Sequence, residues 1–156
     1  MTFTLFIYLL CIACWLGGMI FFSVLTAPVI FRVLERADAG KLVSGIFPRY
    51  YLLGYVAGVI ALLLAIYFSA VRTPRLWWML SAVALAIALA LTIYAGAVVR
   101  PRIDAIHITA EEPNSDPART AEFDRLHRLS VALNGGVMVL NLLALLTSSA
   151  ALSGHG

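Results

Sequence analysis

The sequence predicts an all-α fold: an integral membrane four-helix bundle with a short interfacial helix between its first and second spans. Three observations predict it. The 156-residue chain is 62% hydrophobic and 12% charged, with a mean hydropathy of +0.96, whereas a soluble domain carries roughly a quarter charged residues. Four apolar runs each reach the roughly 20 residues that a bilayer crossing takes. The last of them, wound at about 100° per residue, sets Phe123, His127, Ser130, Asn134, Asn141 and Ser148 on one narrow stripe amid Leu, Val, Ala and Met. A helix of that kind belongs in a lipid-embedded bundle with its stripe turned inward. At this length the chain is read as one domain, residues 1–156, with spans at about 3–31, 50–71, 76–99 and 120–152.

The first run carries no charged side chain from Met1 to Phe31. It lacks a basic start and an A-x-A-like cleavage site, so it reads as a retained span rather than a signal peptide. Cys11 and Cys14 share a face, with Gly17 and Gly18 admitting a neighbouring backbone beside them, and Trp15 reads as a packing residue. Pro28 removes a backbone donor and should kink this helix. Past it, R-V-L-E-R-A-D extends the helix to an end expected at Gly40. Leu42, Val43, Ile46 and Phe47 then suit one side of a short surface helix, which Pro48 is expected to break. Tyr50 and Tyr51 mark the interface.

The second span carries Gly54 and Gly58 as G-x-x-x-G, with Ala61 and Ala65 on much the same side. Such a face serves either packing within one chain or pairing of two copies into a homo-oligomer. R-T-P-R, residues 72–75, is a polar turn, and Trp77 and Trp78 follow it as an expected interfacial anchor. The third span offers Ala82, Ala86 and Ala90 as another small-residue face, then ends at Arg100-Pro101-Arg102. A polar connection follows, in which His107 is expected in a loop. Asp116 before Pro117 suits a helix start. A last helix running from there to Leu152 is about 50 Å long, so His127 should sit at the membrane boundary.

Nine of the eleven Lys and Arg residues (Arg32, Arg36, Lys41, Arg49, Arg100, Arg102, Arg119, Arg125 and Arg128) flank the first and third connections; Arg72 and Arg75 hold the second. Positive residues mark the cytoplasmic side. Both chain ends are therefore expected on the periplasmic side of a bacterial inner membrane. The net charge of +3 does not imply nucleic acid, because the basic residues border apolar runs without interleaved aromatics.

Two constellations can carry chemistry. Arg32, Arg100, Arg102, Arg125 and His127 gather at the inner rim, with Glu35, Asp104, Asp124 and Arg128. They read either as topology signal with weak surface ion pairs or as the mouth of a site for a small polar or anionic ligand. Ser130, Asn134 and Asn141 read either as hydrogen-bonding pegs between helices or as the lining of a path for a small polar solute. A third reading takes His127, with Cys11 and Cys14, as a metal or haem site of a redox protein; His107 and His155 do not offer it a second imidazole. A fourth makes the chain a structural subunit of a membrane complex. No Walker loop, nucleophile triad or zinc spacing is present, and no acidic residue lies inside a span, so an ordinary enzyme is not expected.

The order of several marks resembles the transmembrane protein 205-like family. They are Trp15 with Gly17 or Gly18, Phe31-Arg32 with Leu34, the F-P-x-Y-Y of Phe47 to Tyr51, Arg100-Pro101-Arg102 with Ala105, and Phe123, His127, Leu129, Ser130 and Asn134. The resemblance implies a four-span membrane protein with these signature positions, though the third connection here is much shorter than in animal members. A weaker similarity, in W-L-G-G and R-L-H-R-L-S, is to copper-resistance D-type membrane proteins, whose additional spans and histidines this chain lacks.

Overall fold

A computed structural model describes residues 2–109 and 117–153. Four helical spans run alternately up and down. The first joins α1 (Thr2–Ile20), a π-helical turn (Phe21–Thr26) and α2 (Ala27–Val33); the second is α3 (Arg36–Val71). The third joins α4 (Arg75–Tyr94), a second π-helical turn (Ala95–Val99) and α5 (Arg100–Thr109), and the fourth is α6 (Pro117–Ser153). All four are long and apolar enough to cross a bilayer, which makes this a multi-pass membrane protein. Each span packs against its neighbours in sequence, while α1 and α6 meet more sparsely.

Prolines shape one end of the bundle. Pro28 and Pro101 each lack the N–H that an α-helix needs, and each follows a π-helical turn that ends two residues before it. In both turns the closing bond spans five residues, Ala27 N–H to Phe22 O and Arg100 N–H to Ala95 O. The kink expected at Pro28 thus takes the form of a π-bulge, a distortion that recurs at functional sites.

Pro48 behaves differently and corrects two expectations. The segment from Lys41 to Phe47 is helical, but it is not a separate interfacial helix; α3 passes through both Gly40 and Pro48 without a break. The first connection shrinks to Leu34 and Glu35. The physical reason lies at Ser44, whose carbonyl loses its usual donor to Pro48. The guanidinium of Arg100 supplies that donor instead, with Nη2 at 2.5 Å from Ser44 O.

The core lies at the opposite end. Tyr8, Phe68, Trp78 and Leu85 are fully buried there, beside Ala61, Ala65, Ala88, Ala144 and Ala151. Tyr8 packs edge-on against Phe68 and Trp78 with ring centroids 5.8 and 5.7 Å apart. Its hydroxyl shares hydrogen bonds with Ser81 at 2.5 Å and Ser148 at 2.6 Å, tying three spans at one point. Arg72 caps the cluster, its Cζ 4.9 Å from the Phe68 ring centre. Trp78 is therefore a core residue and not an interfacial anchor; Trp77 alone faces outward. Of the expected alanine face, Ala82 is buried but Ala86 and Ala90 are not; α4 instead turns Ser81, Ala84, Ala88 and Thr92 inward.

Candidate functional site

Between the proline-bearing ends of the helices lies a cavity of about 840 Å³. Three glycines in or near its wall receive aromatic rings. Gly54 and Gly58 are buried under the ring of Trp15, so close that a Cβ on Gly58 would lie 2.9 Å from Trp15 Cζ3 and one on Gly54 3.0 Å from Trp15 Nε1. The G-x-x-x-G face thus packs against Trp15 of the same chain, and Trp15 packs as expected. A Cβ on Gly96, in the second π-turn, would collide with the Tyr55 hydroxyl and the Tyr51 ring. That glycine leaves room for a row of rings in which Phe22 of the first span meets Phe47, Tyr50, Tyr51 and Tyr55 of α3, at centroid spacings of 5.4 to 6.1 Å.

The polar stripe of α6 does turn inward, and it divides into two parts. Asn141 and Ser148 are fully buried outside the cavity. Asn141 Nδ2 donates back to Val137 O at 3.0 Å, and its Oδ1 has no partner. Ser148 joins the Tyr8 cluster. His127, Ser130 and Asn134 line the cavity. Asn134 accepts from the Tyr50 hydroxyl at 2.5 Å and donates to Ser23 Oγ at 3.0 Å, linking the second, fourth and first spans. Ser130 lies close to the Tyr51 hydroxyl. His127 stacks on Phe123 at 6.1 Å and remains exposed at the rim. The stripe therefore both pins the helices and furnishes the cavity with neutral polar groups.

The arginines are not brought together. Arg100 lines the cavity, whereas Arg32, Arg102 and Arg125 are exposed and do not. Arg100 is already engaged by the protein: besides Ser44 O, its Nε donates to Asp104 Oδ2 at 3.1 Å, and its Cζ lies 5.0 Å from the Phe47 ring centre. Ser44 Oγ donates to Asp104 Oδ1 at 3.2 Å and closes the ring of contacts. This arginine is the clamp that lets α3 continue through Pro48.

For the metal or haem reading, Cys11 is half-buried, Cys14 is exposed, and neither lines the cavity that His127 faces. Among the described residues, no group of three or more His, Cys, Asp and Glu is placed to hold a metal ion. His107 lies within α5 rather than in a loop, because the third span runs on past Pro101. His155 and Asp116 fall outside the described residues, while Pro117 opens α6 as expected.

Sequence reasoning missed Ser23, Ser44, Phe22 and Phe47 as wall residues, and it placed Tyr50 and Tyr51 at the lipid interface. A usable signal was present for Ser23, a lone polar side chain in an otherwise apolar run. None pointed to Tyr8 or Ser81.

Comparison with known proteins adds kinship without an activity. A protein of Aquifex aeolicus (strain VF5), named "Uncharacterized protein", is 46% identical over 50 residues, or 32% of this chain and 38% of that relative. The chain thus matches well under half of that relative's length. No solved structure matches. The family model described as "Domain of unknown function (DUF4149)" matches residues 10–112, which take in most of the first span, all of the second and third, and with them most of the cavity wall. This chain belongs to the DUF4149 family.

Proposed function

We propose that this protein is a small inner-membrane binding protein that takes a small ligand into the cavity, to hold it or to help move it, from the cytoplasmic side. The observation that carries the reading is the cavity itself. Its volume of about 840 Å³ lies in the range of roughly 300–1,000 Å³ that single-ligand sites occupy, and such sites are largely apolar with a few convergent polar groups. Here those groups are Ser23, Tyr50, Ser130 and Asn134. The cytoplasmic placement follows from the positive residues that border the cavity end, with both chain ends on the periplasmic side. The marks shared with the transmembrane protein 205-like family support a common four-span architecture.

The lining favours an uncharged polar group over an anion. Its ionisable side chains other than tyrosine are Arg100, Asp104, Asp124 and His127, and the one arginine is paired with Asp104. Mass spectrometry of molecules that co-purify with the protein tests the proposal. Wild-type protein should retain a molecule that the Ser23→Phe variant, with its cavity filled, lacks, while both remain helical and monodisperse. Identical bound contents in the two would overturn it.

A further inference from the structure

We infer that the ligand is an uncharged single-chain amphiphile, such as a fatty alcohol, which enters sideways from the bilayer between the first and fourth spans. The inference rests on the cavity being a binding site and adds the class of occupant and its route. Five residues that line the cavity are also solvent-exposed: Pro28 and Phe31 on the first span, and Asp124, His127 and Val131 on the fourth. Phe31 is 54% exposed and Val131 59%. Lining residues from α4, the second π-turn and α5 are at least partly covered. The mouth is therefore a gap in the side wall, between adjoining spans that pack sparsely.

The outer surface places this gap at the level where apolar gives way to polar. On the first span, exposed Val24, Leu25 and Val29 lead up to Phe31, and Arg32 follows at once. On the fourth, Arg125 and Arg128 are exposed, and Val131, Val139 and Leu142 carry the surface onward without charge. One lip of the mouth, Pro28, Phe31 and Val131, thus meets acyl chains, whereas the other, Asp124 and His127, meets headgroups or water. A molecule crossing such a gap keeps its tail in apolar surroundings and its head in polar ones throughout.

Inside, the same polarity continues. Trp15, Met19, Phe22 and Val137 offer a tail-sized apolar floor. The head would meet neutral hydroxyl and amide groups, with Arg100 already neutralised by Asp104 and no other Lys or Arg among the described lining residues. Apart from the exposed His127 at the rim, an anionic head would find no partner for its charge, which is costly in a site of low polarity. An uncharged hydroxyl incurs no such cost.

Photolabelling in phosphatidylcholine vesicles tests this. A diazirine-bearing fatty alcohol should label the Trp15–Phe22 stretch, and excess unlabelled alcohol should suppress that labelling. The matching fatty acid should label several-fold less. Val131→Trp, which narrows the mouth from outside, should cut cavity labelling several-fold while leaving labelling of the outward-facing Leu142 and Leu146 unchanged. Should Val131→Trp fail to fold, Val131→Ala widens the mouth and should raise the labelling instead. Equal or stronger labelling by the acid overturns the uncharged class. Alcohol labelling that Ser23→Phe abolishes but neither Val131 variant alters overturns the sideways route alone. Cavity labelling that Ser23→Phe also leaves unchanged, for alcohol and acid alike, overturns the binding-site reading beneath it.

Discussion

At the end of the bundle where Tyr8, Phe68 and Trp78 meet, side chains fill the space between the spans. At the other end a cavity of about 840 Å³ holds the same helices apart. The difference lies in which residues face inward. The closed end pairs large rings with alanines, fully buried at Ala61, Ala65, Ala88, Ala144 and Ala151, so that backbones approach and rings fill the gaps. The open end has three prolines and two π-turns, and its rings form a row along α3 that only Phe22 joins from another span. Hydrogen bonding follows the same division. Tyr8, Ser81 and Ser148 bond one another in a fully buried cluster, whereas Tyr50, Asn134 and Ser23 form a chain along an open wall.

The contrast can be broken most forcefully at Trp78. Trp78→Ala should lower stability by about 3–5 kcal/mol, as loss of a buried ring does. Phe22→Ala, beside space that already exists, should cost less than half as much. Thermal unfolding in detergent measures both, and equal losses would mean that the open end is as tightly packed as the closed one.

Next comes the clamp. Arg100→Gln should cost about 1.5–3 kcal/mol, the range for a hydrogen bond from a charged donor. In a Pro48→Ala background the loss should shrink by at least about 0.5 kcal/mol, because an alanine in place of Pro48 restores a backbone donor to Ser44 O. An additive double-mutant cycle would separate Arg100 from the continuity of α3.

Gly96→Ala should cost about 1–3 kcal/mol through overpacking against Tyr51 and Tyr55. Tyr55→Phe should recover part of that loss, since the Tyr55 hydroxyl is the nearest obstacle. A neutral Gly96→Ala would show that the aromatic wall yields.

The hydroxyls give a smaller contrast. Tyr8→Phe should cost about 1 kcal/mol, within the span measured for hydrogen bonds between membrane helices. Tyr50→Phe should cost less, because Asn134 faces a cavity that admits water or ligand. The reverse order, read from unfolding in detergent, would invert the assignment of sealed and open ends. Smallest of all, Cys14→Ser should change stability by no more than about 0.5 kcal/mol. Cys14 should also react faster than Cys11 with a lipid-soluble maleimide, since Cys14 is the exposed one of the pair.

The spacing of polar residues along the fourth span foretold which face of α6 turns inward, because a single helix sets its own 100° increments. It did not foretell that one part of that face would be sealed and the other open. That depends on what stands opposite: Tyr8 and Ser81 for Ser148, and Tyr50 and Ser23 for Asn134. The arginine cluster misled for the same reason. Arg32, Arg100, Arg102 and Arg125 stand near one another in level along the helices, but level says nothing of direction, and Arg100 alone turns inward. Pro48 read as a helix breaker by local rules, and the donor that keeps its helix intact comes from residue 100.

By itself, the sequence determined the membrane class, the four spans, the inward stripe and the irregular turn at Pro28. Each of these follows from hydropathy, period or a missing N–H within one stretch of chain. Tertiary structure decided where the helices close and where they part, which arginine is neutralised, and which glycines receive a ring. Each of those depends on side chains that reach across from another span, at a separation in sequence that no local pattern encodes.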